Sequence, residues 1–395
     1  MTTGLTFSKS IQRLSQRSSN VWDIHDKACA RLDAGEEIHL LSVGDPDLAT
    51  LDSTINHTIE SLRKGRTHYS PGAGEAELLK TIAEIEAKAS QKPCSPDEVL
   101  IYPGATHAIY SVMACLLDDG DEIVVPEPMY IGYHGIFDAI GAKVVNVPLE
   151  VHDNFNLDAD AVKAAISENT KVLFLNTPGN PAGNMIAPEV LADLAQYCLE
   201  RNIWLVCDEV YSMITYDKRH TSIRRAAAKL DNIIIIDGLS KSHAMTGWRL
   251  GWSVAPAAVT EKLLQFSSSI IFGCCQFIQD AATFALKNDE EYMNSMREEY
   301  KTRRDYAYKR LKTMPGLKCQ APQGGMFLMV DVTDIAADGF AFASDLLDKQ
   351  GVSVLPGEGF GPSTKGFVRI SLTLGVSELE KALDKVEQYT LSLNA

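Results

Sequence analysis

The 395-residue sequence lacks the residue spacings that metal centres and disulfide frameworks require. Its nine histidines form no His-x-x-x-His pair, and its eight cysteines form no Cys-x-x-Cys pair. Because zinc sites need such clustered ligands, we expect no metal centre. Several cysteines lie in apolar segments, which predicts buried free thiols and a reducing, cytoplasmic location.

Basic residues are scarce relative to acidic ones: 37 Lys and Arg face 52 Asp and Glu, for a formal net charge of −15. Proteins that bind nucleic acids need clustered Lys and Arg against phosphates, so this balance excludes nucleic acid as a partner. No apolar run approaches the roughly 20 residues of a membrane span, and residues 1–19 contain no apolar signal core. We therefore expect no membrane partner and a cytoplasmic protein that acts on small molecules.

Short β-branched runs alternate with amphipathic helical patterns through the middle of the chain. The strand patterns cover residues 98–102, 122–126, 143–147, 171–175, 203–209 and 232–237. This alternation predicts βαβ units and a mainly parallel sheet, and therefore an α/β fold. Since parallel strands all end on one side of a sheet, ligands of such folds bind at that edge.

Three polar residues follow successive strand patterns: Asn180, Asp208 and Lys241. We expect them to converge, although a single Asp at a strand end is more often a helix cap. Lys241 follows the buried run 233–236, and burial favours its neutral amine, which can form a Schiff base with a carbonyl. Arg249 lies eight residues further on and can hold an anion close to that amine. Pyridoxal phosphate carries both an aldehyde and a phosphate, so the pair fits that cofactor, the alternative being an ordinary surface loop.

Four further features have both a functional and a purely structural interpretation. The Gly104-Ala105-Thr106 turn opens a helix whose free amides can bind a phosphate, although many helices start this way. Tyr130 follows a strand and can lie flat on a planar ring or pack in the core. Gly44 breaks a strand, which lets the backbone approach a substrate or simply forms a turn. Arg369 lies in an alternating strand and can fork onto a carboxylate or face solvent.

The last third of the chain begins with a long charged stretch. Residues 286–313 contain few helix breakers, which predicts one long helix that bridges two lobes. Further on, residues 324–330 and 367–372 predict strands, and residues 339–350 and 377–392 predict helices.

Together these residues resemble the class I aminotransferases, fold type I of the pyridoxal phosphate enzymes, over nearly the whole chain. The matching motifs are Gly44-x-Pro46-Asp47, Tyr69, Gly104-Ala105-Thr106, Tyr130, Asn180-Pro181-x-Gly183, Asp208-x-x-Tyr211, Ser240-Lys241 with Arg249, and Arg369-x-Ser371. Within this family the sequence is most similar to bacterial arginine–pyruvate transaminases. The resemblance implies a three-layer αβα large domain with a mainly parallel sheet over residues 50–290. It also implies a smaller α+β domain formed from both chain ends, residues 1–49 and 291–395, and a homodimer with shared active sites.

The resemblance gives each residue near the cofactor ring a role. Lys241 would form the Schiff base and shuttle the proton. Asp208 would pair with the pyridine nitrogen and keep it protonated, which makes the ring an electron sink. Tyr211 and Asn180 would hydrogen-bond the phenolic oxygen of the ring, and Tyr130 would stack on its face.

The phosphate of the cofactor would be held by two loops and by a second subunit. The residues so implied are Gly104, Ala105, Thr106, Ser240 and Arg249, with Tyr69 reaching the phosphate from the second subunit. The family usually has a hydroxyl residue three positions before the lysine, where this chain has Gly238. One phosphate hydrogen bond is thereby lost, which implies a tighter dependence on Arg249 or on water.

The substrate would be held at its carboxylate and read at its side chain. Arg369 would grip the α-carboxylate in a two-pronged contact, helped by the Gly44 backbone and Asn180. A cationic side chain needs a carboxylate or an aromatic face in the pocket. Asp23 on an amino-terminal flap and Glu358 in a late loop are the candidates, although an acid in such a position is more often a plain surface acid.

The implied reaction moves the α-amino group of an L-amino acid to a 2-oxo acid, with arginine and pyruvate as the expected pair. Donor and acceptor would alternate at one site, which gives ping-pong kinetics. Alternatives on the same scaffold are an arginine oxidase, a C–S lyase, a racemase, or an aminotransferase for aspartate or aromatic amino acids. A non-catalytic regulatory module would need a basic DNA-binding extension, which we do not expect here.

Overall fold

The computed structural model describes residues 6–16 and 21–393. Its helices are α1 (Lys9–Gln16), α2 (Val21–Asp33), α3 (Asp52–Arg63), α4 (Ala76–Ser90), α5 (Ala105–Leu116), α6 (Ile131–Ile140), α7 (Ala159–Ala165), α8 (Pro188–Glu200), α9 (Ile223–Ala226), α10 (Leu239–Ser242), α11 (Ala257–Ile270), α12 (Gln276–Asn288), α13 (Glu290–Leu311), α14 (Gly339–Gln350) and α15 (Val376–Leu393). Its strands are β1 (His39–Leu40), β2 (Val99–Tyr102), β3 (Glu122–Glu127), β4 (Lys143–Pro148), β5 (Thr170–Asn176), β6 (Trp204–Asp208), β7 (Ile233–Gly238), β8 (Gly251–Val254), β9 (Lys318–Cys319), β10 (Phe327–Asp331), β11 (Val352–Ser353), β12 (Leu355–Pro356) and β13 (Phe367–Ser371).

The largest sheet has seven strands in the order β2-β8-β7-β6-β5-β3-β4. Neighbouring strands are parallel throughout, except that β8 pairs antiparallel with both β2 and β7. Most of these strands are connected through helices, as parallel strands require. The mainly parallel sheet expected from the sequence is confirmed.

Strand β7 shows why helices cover both faces of this sheet. The side chains of Ile233–Ile236 are at most 3% exposed. Since successive side chains of a strand point to opposite faces, Ile233 and Ile235 join the core beneath α4 and α8. Ile234 and Ile236 join the core beneath α5 and α6. Helices therefore lie on both sides of the sheet, and the three-layer architecture is confirmed.

A smaller α+β unit is built from both ends of the chain. Its strands form an antiparallel sheet of order β12-β13-β10-β9 and a parallel pair, β1 with β11. Its core joins Ile24 and Leu41 to side chains of the last third of the chain, Leu346 and Val386 among them. The division into residues 50–290 and the two terminal segments stays a prediction.

The expected single helix over residues 286–313 is wrong. Helices α12 and α13 meet at Asp289, whose backbone (φ −97°, ψ 20°) interrupts the helical path. The Asp289 carboxylate is buried and accepts a 2.9 Å hydrogen bond from Thr54 Oγ1 of α3. A tertiary contact therefore fixes the break between the two helices, and no local sequence pattern predicts it. Helix α11 was not predicted either.

Two absences hold for the described ranges. Between residues 6 and 16 and between 21 and 393, no helix is both long and apolar enough to cross a membrane. In the same ranges, no three His, Cys, Asp or Glu side chains are grouped as metal ligands would be.

All eight cysteines are free thiols; Cys198 and Cys207 are buried, but Cys275 is exposed. The expectation of buried thiols thus holds for only part of the set.

Candidate active site

The carboxyl ends of β5, β6 and β7 open into a cavity of about 390 Å³. Asp208 is the last residue of β6, Asn180 and Lys241 follow β5 and β7, and all three line the cavity. Arg249 also lines it, as does Arg369 from β13 of the smaller unit. The cavity therefore lies at the sheet edge where ligands of open α/β folds bind, and both parts of the chain form its walls.

Lys241 lies in α10, directly after β7, and its amine contacts the backbone of Gly44. Lys241 Nζ donates a 2.7 Å hydrogen bond to the Gly44 carbonyl oxygen. Burial lowers the pKa of Lys241 to about 8, so the amine is partly neutral near physiological pH. A Cβ at position 44 would lie 2.2 Å from Cζ of Phe327. Only glycine therefore fits between this backbone and the ring of Phe327.

Asp208 ends β6 and is 3% exposed. Its Oδ2 accepts a 2.6 Å hydrogen bond from the Tyr133 hydroxyl, and its Oδ1 accepts one of 3.1 Å from the Val210 amide. Burial raises the pKa of Asp208 to about 6, while these two donors oppose the rise. The carboxylate is therefore held in one orientation and remains mostly ionised at neutral pH, as a partner for a cationic ring nitrogen requires.

An anion cradle lies where α5 begins. Gly104 precedes α5 with φ +94°. The first amides of a helix have no intrahelical acceptor, and no side chain caps α5, so these amides can bind an anion. A Cβ on Gly104 would lie 2.5 Å from Nη2 of Arg249, so the missing side chain leaves room for the guanidinium. Arg249 is anchored by a 2.9 Å hydrogen bond from Nη1 to the Thr246 carbonyl. The residues that line the cavity here are Ala105, Thr106, Ser240 and Arg249.

Gly238, where the family usually has a hydroxyl residue, is opposite Gly251 in the β7–β8 pairing. A Cβ at position 238 would lie 2.9 Å from the Leu250 carbonyl oxygen. A Cβ at position 251 would in turn lie 2.5 Å from the Ala105 amide nitrogen. The two glycines let β8 pass closely between β7 and the start of α5, which explains why a larger residue does not fit here.

Arg369 is a buried cation whose partners are neutral. Its Nη1 donates to Asn180 Oδ1 at 2.9 Å and its Nη2 to the Ser42 carbonyl at 2.7 Å. Its Nε has no partner among the described residues, and its guanidinium lies 4.0 Å from the ring centroid of Phe327. Burial lowers the pKa of Arg369 to about 10. An uncompensated guanidinium in a cavity is suited to a ligand carboxylate.

The remaining predicted ring contacts also line the cavity. Tyr211 is buried and lines the cavity together with Asn180. Tyr130 lies at the start of α6, with its ring edge-on to Tyr133 at 5.3 Å between centroids. Asn180 is hydrogen-bonded to Arg369, and Tyr130 forms one wall of the cavity.

Four residues that the sequence offered for the site do not line this cavity, and one of them is Gly104, whose neighbours Ala105 and Thr106 do. Tyr69 is 80% exposed and packs against Phe272, with 5.0 Å between ring centroids. Asp23 is exposed on α2 and does not line the cavity. Glu358 is committed elsewhere, because its Oε1 accepts hydrogen bonds from the amides of Gly339 and Phe340 at 2.9 and 3.3 Å. Of the two candidate acids, Glu358 therefore caps the start of α14 and does not line the cavity.

Several lining residues were not identified from the sequence as site residues, and three of them are Trp22, Tyr133 and Asp45. Trp22, next to Asp23, lines the cavity from α2. Tyr133 holds Asp208, as described above. Asp45 lines the cavity beside Gly44, and its Oδ1 accepts a 2.7 Å hydrogen bond from Thr246 Oγ1. Each of the three is adjacent to, or three residues from, a predicted site residue, and that proximity was the only signal available.

Known proteins match the chain over almost its full length. Residues 36–386 match the family model described as aminotransferase class I and II. The chain is 41% identical to the arginine–pyruvate transaminase AruH of Pseudomonas aeruginosa, over 97% of each chain. It is 32% identical to an aspartate aminotransferase of Bacillus subtilis, over 90% of this chain and 92% of that one.

Solved structures share the fold. The aspartate aminotransferase of Thermus thermophilus with maleate has a TM-score of 0.92 to this chain and 31% sequence identity. That match covers 97% of this chain and 99% of the other. With the family model, the relatives and this fold in agreement, the chain belongs to the class I and II aminotransferases.

Proposed function

We propose that this aminotransferase uses pyridoxal phosphate and transfers the α-amino group of L-arginine to pyruvate. The observation that supports the cofactor most strongly is the chemistry of the cavity. The Lys241 amine and the buried Asp208 carboxylate line it together with Ala105, Thr106 and Arg249 of the anion cradle. Few ligands other than pyridoxal phosphate combine an aldehyde, a basic ring nitrogen and a phosphate.

The residues present fit this cofactor. Lys241 would bond its aldehyde, and Asp208 would pair with the ring nitrogen. Tyr211 and Asn180 would hydrogen-bond the phenolic oxygen, and the ring of Tyr130 would cover one face. The phosphate would be held by the Gly104, Ala105, Thr106, Ser240 and Arg249 groups. When bound, the cofactor supplies an electron sink for the charge that develops at the substrate's α-carbon.

Residues of the chain itself bind the substrate and move its proton. Arg369 and Asn180 bind and orient the α-carboxylate, with the backbone of Gly44 beside them. The neutral fraction of Lys241 takes the proton from the α-carbon and holds it until it is returned. Because the amino donor and the 2-oxo acceptor use one site in turn, ping-pong kinetics are expected.

The charges of the cavity support a cationic donor over an acidic one. Its charged lining residues are Asp45, Asp208, Lys241, Arg249 and Arg369. The three cations have roles toward the aldehyde, the phosphate and the α-carboxylate. Among the described residues of this chain, no further cation lines the cavity to receive the second carboxylate of aspartate. The similarity to AruH points the same way, although relatives at 32–33% identity are named aspartate aminotransferases.

Tyr69 has a place in the proposal only if two copies of the chain associate. Its exposed ring lies outside the cavity of its own subunit. We infer a homodimer in which Tyr69 reaches the phosphate of the other copy. Exposed aromatic side chains that adjoin one another, here Tyr69 and Phe272, are typical of such interfaces.

The test is turnover of a panel of L-amino acids by the enzyme loaded with pyridoxal phosphate, with pyruvate as acceptor. Arginine is expected to have the largest kcat/KM. Lys241→Ala should lower kcat at least about 100-fold, because the proton carrier is lost, while the cofactor remains bound. Lys80→Ala on the surface of α4 is the matched control. Formation of the 2-oxo acid without any added acceptor would instead identify an oxidase and contradict the proposal.

A further inference from the structure

Asp45 is the charged group of the cavity that the proposed function leaves without a task. It lies in the segment between β1 and α3, bonded to Gly44, whose carbonyl oxygen is 2.7 Å from Lys241 Nζ. Consecutive Cα atoms are about 3.8 Å apart, so Asp45 is close to the amine that acts at the substrate's α-carbon. The negative charge of Asp45 is also the largest single influence that raises the pKa of Lys241, ahead of that of Asp208.

The two carboxylates of the cavity differ in their surroundings. Asp208 is buried, and both of its oxygens accept hydrogen bonds from the protein. Asp45 is exposed, and its Oδ1 accepts a 2.7 Å hydrogen bond from Thr246 Oγ1. Since each carboxylate oxygen has two acceptor sites, Asp45 can still accept from a ligand, and Thr246 fixes the direction in which it does so.

The positions of the other groups determine which part of a substrate reaches Asp45. Arg369 lies deep in the cavity and would take the α-carboxylate, and Lys241 acts at the α-carbon. We therefore place the substrate's side chain toward Asp45, the exposed carboxylate of the lining. A carboxylate there attracts a guanidinium or ammonium group and repels a second carboxylate.

We propose that Asp45, held by Thr246, recognises the cationic side chain of the amino donor and so selects arginine over neutral and acidic amino acids. This inference rests on the proposed function and specifies its substrate contact. It gives Asp45 the task that the sequence had assigned to Asp23 or Glu358. Asp45 is then a binding residue for the side chain, and Thr246 is a positioning residue.

The first experiment compares Asp45→Asn with Thr246→Val as loaded holoenzymes. Asn keeps an oxygen that can accept from Thr246 but removes the charge, whereas Val removes the hydrogen bond and leaves the carboxylate. The ratio of kcat/KM for arginine to that for the neutral amino acid norleucine is expected to fall about 10-fold or more in Asp45→Asn, the range for a hydrogen bond to a charged group. In Thr246→Val the ratio should fall by a smaller factor. An unchanged ratio in Asp45→Asn would overturn the proposal.

The second experiment measures binding without turnover. Guanidinopentanoate, which is arginine without its amino group, and hexanoate are tested as competitive inhibitors of the wild type and of Asp45→Asn. The preference for the guanidino compound should be present in the wild type and lost in the variant. Equal preference in both enzymes overturns the role of Asp45, even if arginine is a good donor. If the preference depends on Asp45 but arginine is not transaminated, the proposed function fails and the role of Asp45 stands.

Discussion

At the scale of single residues, burial brings the pKa values of the two central titrating groups of the cavity closer together. It lowers the pKa of Lys241 to about 8 and raises the pKa of Asp208 to about 6. Between these values the carboxylate is mostly charged, while part of the amine is neutral. A charged carboxylate can hold a protonated ring nitrogen, and a neutral amine can take a proton. Both conditions are met together only in this pH range.

Tyr133 helps to set the lower limit of that range. Its hydroxyl donates to Asp208 and lowers the pKa of the carboxyl, opposing the effect of burial. In Tyr133→Phe the pKa of Asp208 should therefore rise above about 6, and the acid limb of kcat/KM should move to higher pH. The dissociation constant of the cofactor should increase more at pH 6 than at pH 8, because only the ionised carboxylate pairs with the ring nitrogen.

A control separates this effect from simple loss of a hydroxyl group. Tyr110 lies on α5, outside the lining of the cavity, and Tyr110→Phe should leave the pH profile unchanged. If Tyr133→Phe weakens the cofactor equally at both pH values, Tyr133 serves only to pack the core, and its role toward Asp208 is refuted.

The place of some of these residues in the cavity can be predicted from the sequence, whereas that of others cannot. Asp208 and Lys241 directly follow buried strands, and the edge at which parallel strands end is a topological rule. Asp45 and Tyr133 obey no such rule. Whether their side chains face the cavity depends on how the segment after β1 and helix α6 pack, and on partners far away in the chain. Thr246 is 201 positions from Asp45, and Asp208 is 75 positions from Tyr133.

At the scale of elements, continuous apolar runs were the reliable signal. The run Ile233–Ile236 has no polar residue, which favours burial, and it forms β7, the third of the seven strands across the sheet. The break between α12 and α13 had no such signal, because charged residues at helical spacing continue on both sides of Asp289. A helix boundary that depends on a contact with α3 is invisible to a local pattern.

The hydrogen bond between Thr54 of α3 and Asp289 can be tested by measuring the free energy of unfolding. Thr54→Val removes the donor to the buried carboxylate of Asp289 and should cost about 1–3 kcal/mol of unfolding free energy. Burial raises the pKa of Asp289 and the Thr54 hydrogen bond opposes that rise. The donor stabilises the ionised form, so the cost should be larger at pH 8 than at pH 5.

The matched control lies one turn further along the same helix. Thr58 is also buried, but its Oγ1 donates to the Thr54 carbonyl of its own helix, a bond that contributes little. Thr58→Val should therefore cost less than about 1 kcal/mol. If the two variants lose the same free energy of unfolding in urea denaturation, the hydrogen bond from Thr54 does not stabilise Asp289.

At the scale of the whole molecule, the site joins segments that are remote in sequence. Arg303 of α13 forms a bidentate ion pair with Asp47 at 2.7 and 3.0 Å and also donates to the Leu372 carbonyl. This pair fixes the segment that carries Gly44 and Asp45 against the smaller unit. The same segment contacts Lys241 and Thr246 of the larger unit. The cavity therefore exists only when both ends of the chain have folded onto the central sheet.

The inferred sharing of sites between two copies has a direct test. Homodimers of Lys241→Ala lack the proton carrier, and homodimers of Tyr69→Ala lack the residue reaching from the other copy. A hybrid of one subunit of each has one site with an intact Lys241 and an intact Tyr69 of the partner subunit. Because two-fold dimers form at random, subunits dissociated, mixed equally and reassociated should regain about a quarter of the wild-type activity. If the mixture only averages the two parents, Tyr69 acts in its own subunit or not at all, and sharing is excluded.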